Sequence, residues 1–184
     1  MQNKDSLVYT SVVLTAICAG VALLLAVIYM FTAPRIAAKE MAEKEAAIKS
    51  LIPDLVTYDS VDLKSIDVNI SGVSEMFIVH TAAEDILCVN VAPKGFSDSI
   101  KMIVAINMDM NVVGLKVLSH SETAGVGTRI MNEEFLQSFF GISKKTLESD
   151  VDTISGATVS SLAVKKGVDT SLDAALSFAK LQTE

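Results

Sequence analysis

The N-terminal apolar segment constrains this chain more than any other feature. Residues 6–34 read SLVYTSVVLTAICAGVALLLAVIYMFTAP, a run of 29 residues in which no side chain is charged at pH 7. At about 1.5 Å per residue, a helix of this length can cross a hydrocarbon core of about 30 Å. We therefore predict a single transmembrane helix within residues 1–34, so any globular domain must be built from the rest.

A cleaved signal peptide is the alternative reading of the same segment, because it also joins a charged start to an apolar run. The run here is about twice as long as a typical signal-peptide core. No pair of small residues with cleavage-site spacing follows it, since Arg35 and Ile36 stand two places before Ala37 and Ala38. These features favour a retained membrane anchor in contact with lipid.

Charge and cysteine content exclude several classes of protein. The chain has 15 basic and 22 acidic residues, a net charge of −7, which argues against nucleic acid as a partner. Its two cysteines, Cys18 and Cys88, are too few for a four-thiolate iron–sulfur cluster or a cysteine-rich zinc site. No metal site is predicted.

Residues 35–53 continue the helical pattern with interleaved apolar and charged positions, and Pro53 ends it. This stretch is either an amphipathic helical connector or the first helix of the globular domain, and its sequence favours neither. The domain itself is then expected over residues 54–184.

Strand and helix patterns within that range predict an α+β fold. Runs rich in valine and isoleucine predict four strands, at residues 75–81, 86–91, 102–107 and 112–118. A hairpin at residues 108–111 makes the sheet largely antiparallel. A short helix is expected near residues 132–140. A final helix through Lys180 has one apolar face, so helices should pack on the sheet.

The ten residues before the final helix carry the most chemical information. Asp152 begins the segment DTISGATVSS, in which Ser155, Gly156 and Ala157 leave the backbone open to a bulky group. Thr158 then stands where unpaired backbone N–H groups and the helix dipole favour an anion such as a phosphate. Judged on residue types alone, an ordinary turn with a helix cap is the simpler reading.

Two motifs resemble those of a known family and change that balance. The spacing of Asp152, Ser155, Gly156, Ala157 and Thr158 resembles the flavinylation motif D-x-x-[ST]-G-A-[ST]. Residues 120–127, HSETAGVG, resemble the H-x-E-T-P-G-L-G loop of the G subunit of the bacterial Rnf electron-transport complex and of the C subunit of the sodium-translocating NADH:quinone oxidoreductase. In motif order and total length, the whole chain is similar to the Rnf protein in particular.

The resemblance implies roles for specific residues. Thr158 would carry FMN, joined covalently through its phosphate, within an FMN-binding domain. A separate flavin transferase would recognise the motif residues that precede Thr158. The loop at residues 120–127, together with Gly95, would lie against the flavin. The expected site residues are Asp152, Ser155, Gly156, Ala157, Thr158, Glu122, Thr123, Gly125, Gly127 and Gly95.

Two departures from the family pattern are visible. Ala124 stands where the family often has proline, and Gly95 is followed by Phe96, Ser97 and Asp98 where the family has Gly-Tyr-Gly-Gly. The second departure leaves Phe96, Ser97 and Asp98 out of the expected site.

The family function would be electron relay without catalytic residues of the chain's own. The chain would pass electrons between other membrane and peripheral subunits of an ion-translocating ferredoxin:NAD oxidoreductase complex, and would not be an enzyme by itself. The resemblance places it in the bacterial cytoplasmic membrane as a single-pass protein with its flavin domain on the outer face. The count of basic residues, one before the span and four soon after it, favours the opposite orientation.

Other functions stay open at this point. The alternatives are a stand-alone membrane-anchored flavoprotein reductase, a C subunit of the quinone reductase, and an anchored binding module that holds no cofactor. His120 is a weak site candidate, better read as a partly exposed residue at a strand end. Arg129 and Lys165 could neutralise a phosphate or a reduced flavin, but each is more simply a solvated surface charge.

Overall fold

In the computed structural model, residues 2–63 and 72–182 are described, and the chain divides into two compact units, Met1–Glu43 and Lys44–Glu184. Helix α1 (Gln2–Leu51) contains all of the first unit that the structure describes. From Val8 to Phe31 its large apolar side chains are exposed to the surroundings, and Val8–Leu51 is the part of the described chain long and apolar enough to cross a membrane. The hydroxyls of Thr15 and Thr32 donate to carbonyls one turn earlier, so these polar groups are satisfied inside the helix.

The second unit is built on an antiparallel sheet. Within the described residues its strands lie in chain order across the sheet, and each pairs antiparallel with the next. The strands are β1 (Leu55–Val61), β2 (Val73–Thr81), β3 (Asp85–Val91), β4 (Lys101–Asn107) and β5 (Val112–Ser119). After the sheet come a 3-10 helix (Gly127–Met131) and the helices α2 (Glu133–Gln137), α3 (Leu147–Asp150) and α4 (Thr158–Gln182).

Strand β4 is buried on both faces of the sheet. Met102, Val104 and Ile106 belong to a large core with Val164, Val168 and Leu172 of α4. The intervening residues Ile103 and Ala105 point to the other face, because side chains alternate along a strand. There they form a second core with Ala47 and Ile48, from the end of α1, and with Ile52. The sheet therefore holds α4 on one face and the last turns of α1 on the other.

The predicted fold class is confirmed. Each of the four predicted strands is present with its boundaries within two residues, and the predicted hairpin joins β4 to β5 through Met110, whose φ is 62°. Strand β1, the 3-10 helix and α3 were not predicted. The helix expected near residues 132–140 is shorter, because α2 spans Glu133–Gln137 with Asn132 as its N-cap.

The expected domain boundaries remain a prediction. The division between Glu43 and Lys44 falls inside the predicted connector, residues 35–53. Its second half belongs to the sheet-containing unit, where Lys44 Nζ lies 2.7 Å from Glu75 Oε2. The predicted range 54–184 includes residues 64–71 and 183–184, which lie outside the described part of the chain.

A half-buried histidine joins the first three strands. His80 Nδ1 of β2 lies 2.7 Å from Asp85 Oδ1 of β3, and Nε2 lies 3.3 Å from Asp59 Oδ2 of β1. The hydrogen bond with Asp85 outweighs partial desolvation and, with the charges of both aspartates, raises the pKa of His80 above 6.5. A raised folded-state pKa adds stability that is complete below about pH 6.5 and is lost as the pH rises through the folded value.

We predict that His80→Gln lowers the free energy of unfolding, relative to wild type, more at pH 6 than at pH 9. Glutamine keeps hydrogen-bonding capacity but cannot take the positive charge that both aspartates stabilise. Urea denaturation of the full chain in detergent at the two pH values measures the gap between variant and wild type. An equal gap at both values would contradict the charged contact.

Candidate functional site

A tight turn sets the start of α4. The N–H of Ala157 donates to the carbonyl of Ile154 at 2.9 Å, and Gly156 at the third turn position has a φ of 81°. Glycine adopts this left-handed backbone without strain, which a type II turn requires at that position. The buried Ser161 hydroxyl accepts from Ile154 N–H and donates to Ala157 O, so it joins the turn to the helix. Thr158 is thereby placed, exposed, as the first residue of α4.

The first turn of α4 presents donors that the helix itself cannot use. The N–H of Ser161 donates to Ala157 O at 2.9 Å, the first bond of the helical pattern. The N–H groups of Thr158, Val159 and Ser160 precede it and have no acceptor within the helix. Together with the helix dipole they favour an anion beside the Thr158 hydroxyl.

Thr158 lies in the wall of a cleft of about 340 Å³, called here the Thr158 cleft. Its volume falls in the range of about 300–1,000 Å³ usual for small-molecule sites. The lining is mostly apolar or small, with polar groups at few points. The lining residues are Phe96, Glu122, Thr123, Val126, Gly127, Gly156, Ala157, Thr158, Val159 and Ser160.

Glu122 is a buried residue of the cleft wall, with 7 % of its surface exposed. Its Oε1 accepts from the N–H of Ser97 at 3.1 Å, and its Oε2 accepts from the hydroxyl of Ser160. One carboxylate thus connects three segments that are distant in sequence: the loop after Gly95, the loop before the 3-10 helix, and the first turn of α4.

Two glycines make room for that carboxylate. A Cβ on Gly127 would stand 2.7 Å from Glu122 Cβ and 2.9 Å from its Oε2. A Cβ on Gly95 would overlap Glu122 Oε1 and stand 2.8 Å from the carbonyl oxygen of Asp98. Both glycines therefore serve close packing around Glu122 rather than an unusual backbone conformation.

The carboxylate of Glu122 is held in its ionised form. Burial by itself would raise its pKa. The hydrogen bond from Ser160 and those from the backbone N–H groups of Ser97, Phe96 and Asp98 outweigh burial, and the pKa of Glu122 lies below its usual value of 4.5. A buried, ionised carboxylate with a hydrogen bond to each oxygen therefore borders the cleft at neutral pH.

The expected site residues do not all meet in one place. Glu122, Thr123, Gly127, Gly156, Ala157 and Thr158 line the Thr158 cleft. Asp152 and Ser155 instead line a separate open cavity of about 530 Å³, together with Arg129. Gly95 contributes through its packing on Glu122. Gly125 has a φ of 76° in its loop, and its N–H donates to Thr128 Oγ1.

The three basic candidates have different surroundings. Arg129 is exposed and donates to the carbonyl of Ser155 at 3.0 Å, which supports the turn before Thr158 from outside. Lys165 is buried, so reading it as a solvated surface charge was wrong: its Nζ donates to Val151 O at 2.9 Å. His120 Nδ1 accepts from the N–H of Glu122, an interaction within its own loop.

Sequence reasoning missed five residues of this site, of which Val126 and Val159 are apolar residues that line the cleft. Phe96 was left out because the residues after Gly95 depart from the family pattern, yet it lines the cleft with 69 % of its surface exposed. Ser97 and Ser160 are the hydrogen-bond donors of Glu122. A signal for Ser160 was present, because it lies two residues after Thr158 in the first turn of α4. No local signal pairs Ser97 with Glu122.

Comparisons with known proteins agree with this architecture. A family model described as the FMN-binding domain matches residues 95–173, and one described as the RnfG N-terminal region matches residues 1–51. The chain is 23 % identical to the G subunit of the proton-translocating ferredoxin:NAD(+) oxidoreductase complex of Clostridium ljungdahlii, over 96 % of this chain and 95 % of that protein.

Two further relatives are named as G subunits of ion-translocating oxidoreductase complexes. The protein of Methanosarcina acetivorans is 27 % identical over 92 % of this chain and 96 % of its own length. The protein of Aliivibrio fischeri is 37 % identical over a shorter match, 42 % of this chain and 43 % of its own length.

The fold and the matches define a class: proteins in which a long apolar N-terminal helix precedes an FMN-binding domain. The Thr158 cleft lies within the range matched by the FMN-binding model. The N-terminal model and the relatives that match over nearly the whole chain agree, so the chain is similar from end to end to G subunits of ion-translocating oxidoreductase complexes.

We predict that Gly127→Ala lowers the free energy of unfolding by about 1–3 kcal/mol, because the added Cβ overlaps Glu122 in a packed region. Gly20→Ala is the matched control, since no atom lies within 4 Å of the added carbon. Urea denaturation of both variants in detergent measures the difference. Equal stabilities would mean that Glu122 moves away without cost.

Proposed function

We propose that this chain carries FMN through a phosphoester on the Thr158 hydroxyl and passes electrons between partner subunits of a membrane-bound, ion-translocating ferredoxin:NAD oxidoreductase complex. The observation that carries the proposal is the position of Thr158. Its exposed side chain stands at the start of α4, in the wall of a cleft large enough for a small-molecule cofactor.

The residues of the cleft suit the two ends of FMN. The free N–H groups of the first α4 turn favour a phosphate beside Thr158. Phe96, Val126 and Val159 supply apolar surface for a planar ring system next to that point. FMN, when bound, supplies reversible uptake and release of electrons, while the protein supplies binding and orientation.

Attachment of the flavin requires an external enzyme in this proposal. A threonine hydroxyl is a weak nucleophile unless a base activates it. The two histidines of the chain are His80, paired with aspartates of the sheet, and His120, engaged with Glu122 N–H. A flavin transferase that reads Asp152, Ser155, Gly156 and Ala157 would supply the activation.

The partners follow from the relatives. Proteins similar to this chain over nearly its whole length are named as G subunits of ion-translocating complexes. We propose that this chain likewise assembles with membrane and peripheral subunits. FMN attached at one point can then accept electrons from one neighbour and deliver them to another, and this relay requires no separate substrate pocket.

We propose that α1 spans the bacterial cytoplasmic membrane once and that the flavin domain lies on its outer face. The basic residues that follow the span, Arg35, Lys39, Lys44 and Lys49, favour the cytoplasm by count. That count predicts orientation for short loops of up to about 60 residues, whereas long domains are translocated largely regardless of charge. The domain after the span belongs to the second class.

We predict that the full chain, co-expressed with a flavin transferase, gains the mass of one FMN less one water and that Thr158→Val does not. Valine has a similar shape and lacks the hydroxyl that forms the ester. Thr153→Val is the matched control, because Thr153 is also exposed and lies outside the Thr158 cleft. Intact-mass spectrometry reads all three chains.

An unmodified wild-type mass would leave the segment as a helix cap and would favour an anchored module without cofactor. A modified Thr158→Val chain would place the ester elsewhere. If loaded protein, once reduced, were oxidised rapidly by a small acceptor without other subunits, the stand-alone reductase would replace the relay.

If the flavin domain lies on the outer face, a cysteine at exposed position 145 (Lys145→Cys) should react with a membrane-impermeant maleimide in intact cells. Background labelling is low, because Cys88 is buried, with its thiol pKa raised to about 12, and Cys18 lies in the proposed span. Wild type measures that background, and lysed cells give the full signal. Labelling of Lys145→Cys after lysis alone would place the domain in the cytoplasm.

A further inference from the structure

We infer that the fixed negative charge of Glu122, in the wall of the Thr158 cleft, lowers the reduction potential of the bound flavin. The inference rests on the proposed function, because it concerns the flavin at that site. The resemblance of the loop to a flavin-binding motif implies that Glu122 contacts the flavin. The geometry instead indicates that Glu122 acts on the flavin through its charge.

Both oxygens of Glu122 are already engaged by the protein. Oε1 accepts from Ser97 N–H and Oε2 from the Ser160 hydroxyl, while the Cβ positions of Gly95 and Gly127 are closed by Glu122 atoms. These contacts leave the carboxylate immobile between two loops and α4. The Glu122 carboxylate therefore affects a ligand in the cleft through its charge, since it is not free to move toward that ligand.

The charge has no cationic partner among the contacts that the structure describes for it. The groups that face it are the Ser160 hydroxyl from α4 and backbone N–H groups of residues 96–98. The titratable side chains in its own loop and in the facing one include His120, whose Nδ1 accepts from Glu122 N–H, and Asp98, whose carboxylate accepts from Ser99 N–H. Dipoles hold the carboxylate ionised without cancelling its charge, in agreement with its lowered pKa.

A fixed anion beside a flavin affects its two redox states differently. Reduction adds electrons to the ring system. Where protons do not neutralise the added charge, the reduced ring is negative, and a nearby carboxylate repels it. Repulsion is stronger in a partly buried cleft than in water, because the effective dielectric constant is lower. The oxidised ring, which is neutral, is affected little, so the potential falls.

The test compares flavin potentials of full-length variants, loaded by a flavin transferase, in spectroelectrochemical titration. Glu122→Gln keeps the size and hydrogen-bonding capacity and removes the charge, because the glutamine oxygen can accept from Ser97 N–H and its NH₂ can donate to the Ser160 oxygen. Ser160→Ala keeps the charge and removes one contact. Glu84→Gln removes an exposed carboxylate in the turn between β2 and β3 and controls for net charge.

We expect Glu122→Gln to shift the potential to a more positive value and Ser160→Ala and Glu84→Gln to shift it far less. An unchanged potential in loaded Glu122→Gln, or equal shifts in Glu122→Gln and Ser160→Ala, would overturn the inference and leave the proposed function standing. Wild-type chain that takes no FMN would overturn the proposed function, and the inference with it.

If Glu122→Gln takes no FMN, its flavin potential cannot be measured. The pH dependence of the flavin potential in loaded Ser160→Ala then tests the inference. Loss of one donor lets Glu122 bind a proton at higher pH than in wild type, and His120 is present in both chains. A potential difference from wild type that grows more positive from pH 7 toward pH 4 supports the inference, whereas a constant difference overturns it. Chains without FMN test whether Glu122 is ionised in the folded protein. The free energy of unfolding of wild type should decrease as the pH falls below about 4.5 and through the lower folded pKa of Glu122. Glu122→Gln should lack this pH-dependent loss of stability.

Discussion

Burial of the central strands on both faces is the constraint on which the rest of this domain depends. In β4, alternate residues enter two cores, so neither face can be left to solvent. One face is covered by α4 through Val164, Val168 and Leu172. The other is covered by Ala47, Ile48 and Ile52, at the end of α1 and just after it. Packing thus places α4 against the sheet, and the turn at Gly156 sets its start at Thr158.

The cleft is assembled from parts that the sheet alone does not position. The loops after Gly95 and before the 3-10 helix share one polar partner with α4. Glu122 is that partner, because its two oxygens accept from Ser97 on one side and Ser160 on the other. Removing one donor would leave a buried charge partly unsatisfied, which costs about 1–3 kcal/mol or more. A polar contact therefore helps to pre-organise the cleft, in addition to the apolar packing of Ile100 and Ile130 with α4.

Much of the fold could be predicted from the sequence because its central strands have the valine and isoleucine content of buried strands. Strand β1 escaped prediction because Leu55–Val61 is an edge strand with exposed residues along most of its length, so it lacks a strong apolar signal. Helix α3 has four residues, too few for a periodic pattern. Lys165 was misjudged because a charged residue type gives no sign of the carbonyl of Val151 that accepts from it.

The candidate site could be predicted in part. The sequence did not predict that the motif is divided between two cavities, and the cause of this division is the turn at Gly156. The motif is contiguous in sequence, but the positive φ of Gly156 reverses the chain between Ser155 and Ala157. Asp152 and Ser155 consequently line the cavity beside Arg129, while Ala157 and Thr158 line the cleft. A sequence motif does not reveal this division. It means that the first half of the motif stays accessible outside the cleft, as an external enzyme would require if it is to read Asp152 while it modifies Thr158.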